Sequence, residues 1–218
     1  MYEEISVSLV DHMGSDDTVV NAARVSFAKE ASQYTKDQNN KLIRYLATHN
    51  HWSPFAHCTL QFHVKAPIFV ARQLAKHQVG FAWNEVSRRY VDYSPTFWNP
   101  KGNWRGRAEN KKQGSSSELV RDNLEAQETY QDTMRYIWQS YELLLAQGVC
   151  PEQARAVLPQ SMMTEWYWTG SLYGFSRVYK LRLDSHAQIE CSQVATLIEA
   201  ECARLFPESW KALNGTLD

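Results

Sequence analysis

At Pro67 the hydrophobic pattern of this 218-residue chain changes period, and that change constrains the fold more than any other feature. Upstream, CTLQFHVKA (residues 58–66) sets Leu60, Phe62 and Val64 against Gln61, His63 and Lys65. That is the period of a half-buried strand. Downstream, residues 68–77 follow a helical period. A proline in the first turn costs nothing there, because its missing N–H would have had no partner. At about 100° per residue, Arg72, Gln73, Lys76 and His77 share one sector roughly 140° wide. Val70, Ala71, Leu74 and Ala75 fall outside it. A strand thus runs into a helix with one cationic side and one packing side.

The rest of the chain extends this mixture. ISVSLV (5–10) alternates as a first strand, and 16–30 reads as a helix with Asp16 or Asp17 as candidate N-cap. Residues 36–50 form a second helix, and HWSPFAH (51–57) a turn around Pro54. From Ser117 to Gln147 the pattern predicts one long helix with a packing stripe of Tyr130, Met134, Ile137, Tyr141 and Leu144, ended by Gly148. A short helix over 151–159, an aromatic strand over 161–170 and helices over 171–183 and 185–206 follow. Residues 91–116 have no period and carry Pro95, Pro100, Gly102, Gly106 and Gly114, so they read as a lid or a disordered loop. The expected fold class is α+β: a single domain over 1–218, a mostly antiparallel sheet flanked by helices, with one long inserted loop.

Composition narrows the function. Hydrophobic residues make up 44% of the chain, enough for a core without disulfides or metals. The net charge of -1 argues against bulk binding to nucleic acid or anionic membrane, so any anion site must be local. No apolar run is long enough to span a bilayer, and the N-terminus shows no secretory signal. Cys58, Cys150, Cys191 and Cys202 are far apart and lack zinc spacing, so no metal is expected. A cytoplasmic protein, or one of the host cytoplasm for a viral source, is the default.

RQLAKHQVGFAWNEVSRRY (72–90) carries that local charge. Arg72, Lys76, His77, Arg88 and Arg89 stand against the one acid, Glu85, with Gln73, Gln78, Asn84, Ser87 and Tyr90 as neutral hydrogen-bonding groups. Cations beside a serine suit a phosphate, while Gln, Asn and Glu suit a base or sugar. Asn84, Glu85, Ser87, Arg89 and Tyr90 resemble, in type and order, the signature of the flavin-dependent thymidylate synthase family. AARVSF (22–27), HNHWSPFAH (49–57), FHVKAPIFVARQ (62–73), ARAVLP (154–159) and LRLDSHAQIE (181–190) resemble its other blocks in the same order. Only 91–116 lies outside the resemblance. The family's Arg-His-Arg is Lys76-His77-Gln78 here, eight residues rather than seven precede Ser87, and Ser171 stands where the family has Asn. Lysine keeps the charge and loses the bidentate fork.

The resemblance implies that dUMP, methylenetetrahydrofolate and NADPH give dTMP and tetrahydrofolate through bound FAD. It implies dUMP contacts from Gln73, Lys76, Glu85, Ser87, Arg88, Arg89 and Arg155. Arg182 would lie on the uracil carbonyl edge, where a fixed cation stabilises charge developing on the ring. It implies flavin contacts from Ser53, Lys76, His77, Gln78, Glu85, Ser171, Tyr173, Arg177 and His186, with His51 and Leu172 near them. It implies a homotetramer with sites shared between chains. Two other readings stand beside it: a catalytically weakened nucleotide- and flavin-binding homologue, suggested by Lys76 and Gln78, and a single-strand nucleic-acid binder using Trp98 and Trp104 in the basic loop 98–112. A cysteine mechanism is disfavoured, because Cys150-Pro151 has the reverse order of the nucleophile's usual Pro-Cys-His setting.

Overall fold

A computed structural model describes residues 1–109 and 114–215. Strands β1 (Tyr2–Glu3) and β2 (Ser6–Met13) precede helices α1 (Asp16–Arg24), α2 (Lys36–Thr48) and the one-turn α3 (Ser53–Ala56). Strand β3 (Thr59–Pro67) runs directly into α4 (Ile68–Leu74), followed by β4 (Phe81–Glu85), β5 (Phe97–Trp98), β6 (Arg105–Arg107) and β7 (Ser115–Leu119). Then come α5 (Asn123–Ala146), α6 (Pro151–Ala154), β8 (Met163–Ser171), α7 (Leu172–Arg182), α8 (Ile189–Leu205) and α9 (Pro207–Asn214). Strands β2, β3, β8 and β4 hydrogen-bond in that order. The fold is α+β, an antiparallel sheet with flanking helices.

The chain forms two compact units. The first comprises Met1–Ser6, Lys65–Leu74 and Glu85–Trp166, and the second Val7–Val64, Ala75–Asn84 and the chain from Tyr167 onward. In the first unit, Phe97, Met134 and Met162 form a buried cluster, with Tyr130 and Ile137 of the α5 stripe packed on it. Helix α5 ends as expected at Gly148, whose φ is 82°. The Gly148 and Val149 N–H groups donate back to the Leu145 and Leu144 carbonyls at 2.9 and 3.0 Å, closing the helix end. In the second unit, β3 buries Leu60, Phe62 and Val64 on one side, as the alternation requires. Helix α9 packs on α2, α7 and α8, and the Asp16 carboxylate accepts from the Glu208 and Ser209 N–H groups at its start.

Several expectations are corrected. The N-cap of α1 is Ser15, with Thr18 completing a capping box, rather than Asp16 or Asp17. Residues 51–57 contain the helical turn α3. Helix α4 stops at Leu74, so Lys76 and His77 follow it in the turn to β4. Gly80 takes φ 79° in that turn, and the Phe81 N–H bonds the Gln78 carbonyl at 3.2 Å. Residues 117–119 belong to β7 and 185–188 precede α8, so both long helices start later than their patterns suggest. The segment 91–116 is not a structureless loop. Phe97 is fully buried, β5 pairs in parallel with β1, and β6 with β7 in antiparallel. Positions 110–113 of that segment, with part of the basic loop 98–112, lie outside the described residues.

Candidate active site

The second half of the signature lines a cavity of about 370 Å³ in the first unit. Its walls include Glu85, Val86, Ser87 and Arg88 from β4 and the turn after it, Arg155 and Leu158 after α6, and Met162 and Thr164 at β8. The Glu85 Oε1 accepts from the Thr164 hydroxyl at 2.7 Å. Ser87 stands at a turn, with the Tyr90 N–H on its carbonyl at 3.0 Å and the Arg89 N–H on its Oγ at 3.3 Å. Arg155 is exposed, and its Nε donates to the Glu152 carbonyl at 3.2 Å. Gln73 sits half-buried on α4.

The two arginines after Ser87 have different surroundings. Arg89 is exposed, with Nε on Glu152 Oε2 at 3.1 Å, an exposed pair worth little by itself. Arg88 is buried, 6% exposed. Its Nη1 donates to the Tyr93 carbonyl, and its guanidinium lies 4.3 Å from the Tyr93 ring centroid. Arg88 therefore fixes the turn over 88–93, and it also contributes to the lining of the cavity.

The first half of the signature lies in the second unit, with Arg182. The Arg182 Nε donates to His77 Nε2 at 3.0 Å. His77 must then be neutral, with its proton on Nδ1. Burial, then the Arg182 and Arg177 charges, push its pKa down to about 4. The ring lies 6.4 Å from that of Trp168. Trp168 belongs to an aromatic cluster with Phe81, Trp83 and Phe175. Gly170 admits the Phe81 ring, since a Cβ there would meet it at 2.3 Å. That packing seats the end of the turn that carries His77. The Arg182 carbonyl accepts from Ser192 Oγ, which anchors the end of α7 to α8.

The other flavin candidates are varied. Ser171 is the N-cap of α7 and accepts from the Gly174 N–H at 3.1 Å, so its hydroxyl has a structural task at this departure from the family pattern. Tyr173 lies 5.9 Å from the exposed ring of Trp52, next to Ser53 at the start of α3. Leu172 is buried. Lys76, Gln78 and Arg177 are exposed. His186 is exposed and held by Asp184 through its N–H and Nδ1, both at 2.8 Å. These bonds keep the Asp184 carboxyl below its ordinary range. His51 is hydrogen-bonded by its N–H to the Leu46 carbonyl and stands 6.0 Å from the Tyr45 ring. Exposed Lys76 and Arg177, the rings of Trp52 and Tyr173 and the neutral His77 imidazole are groups of the kinds that suit a diphosphate joined to a planar ring, so the residue set fits FAD.

Two alternative chemistries are poorly served. Burial pushes the Cys58 thiol up to about 12 and Cys191 to about 11, and raises Cys202 as well, so these are not thiolate nucleophiles. The described lining of the first unit's cavity contains no cysteine. Trp104 donates its Nε1 to Gln127 and packs on Tyr130, while Trp98 packs on Phe69, so both rings are occupied in packing. Among the described residues no cluster could hold a metal ion and no helix is long and apolar enough to cross a membrane.

Residues 8–208 match the family described as thymidylate synthase complementing protein. The flavin-dependent thymidylate synthase of Kosmotoga olearia is 40% identical over 203 residues, 90% of this chain and 86% of that one. The chain belongs to the flavin-dependent thymidylate synthases. A Thermus thermophilus member of this family is 39% identical over 208 residues, covering 95% of this chain and 75% of its own. A crystal structure of the UMP/dUMP methylase PolB from Streptomyces cacaoi, bound with 5-Br dUMP, matches with TM-score 0.87 at 32% identity, over 97% of this chain and 95% of that one. The same enzyme bound with 5-Br UMP matches with TM-score 0.84 at 31% identity. The family uses FAD.

Thr164 and Met162 are cavity residues that the motif analysis missed. Thr164 sat inside a strand that reads as aromatic packing. Its partner Glu85 is 79 positions away, and no local pattern encodes that pairing.

Proposed function

We propose that this chain catalyses the reductive methylation of dUMP to dTMP, with methylenetetrahydrofolate as one-carbon donor and NADPH as reductant through bound FAD. The observation that carries this reading is the convergence of Glu85, Ser87, Arg88 and Arg155 on one cavity, within a chain of this family. Ser87, Arg89 and Arg155 meet the nucleotide phosphate, Arg88 adds its charge from the wall, and Glu85 and Gln73 meet the sugar and base. Arg182 lies against the uracil carbonyl edge and stabilises charge developing on the ring. Lys76, His77, Gln78, Ser53, Ser171, Tyr173, Arg177 and His186, together with Glu85, hold FAD. Bound by these residues, FAD would supply the redox chemistry between NADPH and the transferred carbon, while the chain orients and activates the pyrimidine.

The reading takes residues 1–218 as one catalytic domain, since the reaction needs both residue groups. It also takes the enzyme as a cytoplasmic homotetramer whose sites are shared between chains. The direct test supplies the purified protein with FAD, the folate, NADPH and dUMP tritiated at C5. Tritium release with formation of dTMP is expected. No release from a flavin-loaded protein would favour a nucleotide-binding homologue without turnover. Because PolB is described as acting on UMP as well as dUMP, UMP labelled in the same way runs beside it. Release from UMP at a comparable rate would widen the substrate to uridine nucleotides.

A further inference from the structure

Thr164 lies in β8, is 5% exposed, and donates its hydroxyl to Glu85 Oε1 at 2.7 Å. That is the short length of a hydroxyl bonded to a carboxylate. Both side chains line the nucleotide cavity beside Ser87 and Arg155. One residue further along each segment, the Val86 N–H donates to the Glu165 carbonyl at 3.0 Å. Backbone pairing therefore fixes where the Thr164 hydroxyl stands. Glu85, by contrast, is an exposed residue at a strand end with three side-chain torsions. The Thr164 bond is one contact that narrows the rotamers open to this carboxylate.

An ionised carboxylate only accepts hydrogen bonds. The permanent donors that a uridine nucleotide offers are its sugar hydroxyls and the ring N–H. On the dUMP reading, Ser87 and Arg155, which line this cavity, meet the phosphate, and the sugar is the part joined to that phosphate. We propose that Thr164 is a positioning residue that holds Glu85 as the acceptor for a sugar hydroxyl of the nucleotide. This rests on the dUMP reading above.

The test measures dUMP affinity of the FAD-loaded enzyme by calorimetry, with bound flavin followed by absorbance. Thr164→Val, which replaces the hydroxyl by a methyl of the same size, is expected to weaken dUMP about tenfold. Flavin content should stay unchanged, and Thr164→Ser should bind within about twofold of the parent. In a Glu85→Gln background the further effect of Thr164→Val should vanish, because the pair acts as a unit. The loss should vanish also for 2′,3′-dideoxyuridine monophosphate, which offers no sugar hydroxyl. Should the valine variant not fold, Thr164→Ala removes the same hydroxyl without adding a methyl. Parent-like dUMP binding by the valine or alanine variant, additive losses with Glu85→Gln, or an equal loss for the dideoxy nucleotide would overturn the proposal. A parent enzyme that binds no dUMP would overturn the nucleotide reading itself, a separate and visible outcome.

Discussion

Arg182 and His77 define each other's chemistry. A neutral imidazole is an acceptor at one nitrogen, so it can hold a guanidinium without cancelling its charge. Arg182→Ala is expected to lower turnover by about 10²–10³ while bound flavin stays near stoichiometric, checked by tritium release and the absorbance spectrum. Equal loss of both would make Arg182 structural. His77 also leaves a mark on stability. Its folded pKa, about 4, lies below the ordinary value of 6.5. As pH falls from 6.5 the unfolded chain binds a proton that the folded chain refuses, so stability declines towards pH 4 and is unaffected above that window. The urea midpoint should fall more steeply through this range in the parent than in His77→Gln, which keeps an acceptor but does not titrate. Much of this residue-level picture was legible. Ser87 and Arg155 stand out in the sequence by residue type and motif order, and both line the cavity, while the parts proposed for Arg89 and Arg182 come from the family resemblance. Thr164 and the burial of Arg88 were not, since both depend on partners that only strand pairing or turn geometry supplies.

Elements were read well where one period ran cleanly and poorly where it was broken. The passage from β3 to α4 follows from Pro67, and the α5 stripe faces the core that its spacing predicts. Helix α4 nevertheless ends three residues early, because Gly80 and the turn at Gln78 win over the remaining helical pattern. Residues 91–116 look unstructured because prolines and glycines hide very short strands. Phe97 is the decisive residue there. It is fully buried in the cluster with Met134 and Met162, so Phe97→Ala is expected to cost about 3–5 kcal/mol, seen as a lower denaturant midpoint. A residue of a mobile lid would leave the midpoint unchanged.

For the whole molecule, the fold class was accessible because strand and helix periods were both plain, whereas strand order was not. A homotetramer would sediment at about four times the 25.2 kDa chain mass. With a net charge of -1, moderate salt should leave that value unchanged; a 25 kDa species at micromolar concentration would contradict shared sites. The pairing of β1 with β5 also bears on biosynthesis. The Met1 carbonyl accepts from the Phe97 N–H, and Asp16 caps a helix that begins at Pro207. As the nascent chain leaves the ribosome, the pairing of its first strand with β5 waits until residue 97 emerges, and the bonds from the α9 start to the α1 carboxylate wait until residue 208. Closing such long loops before the contacts reward them makes assembly slow. Those two contacts are missing over that interval, and a chaperone that shields the early segments would raise the yield of folded enzyme.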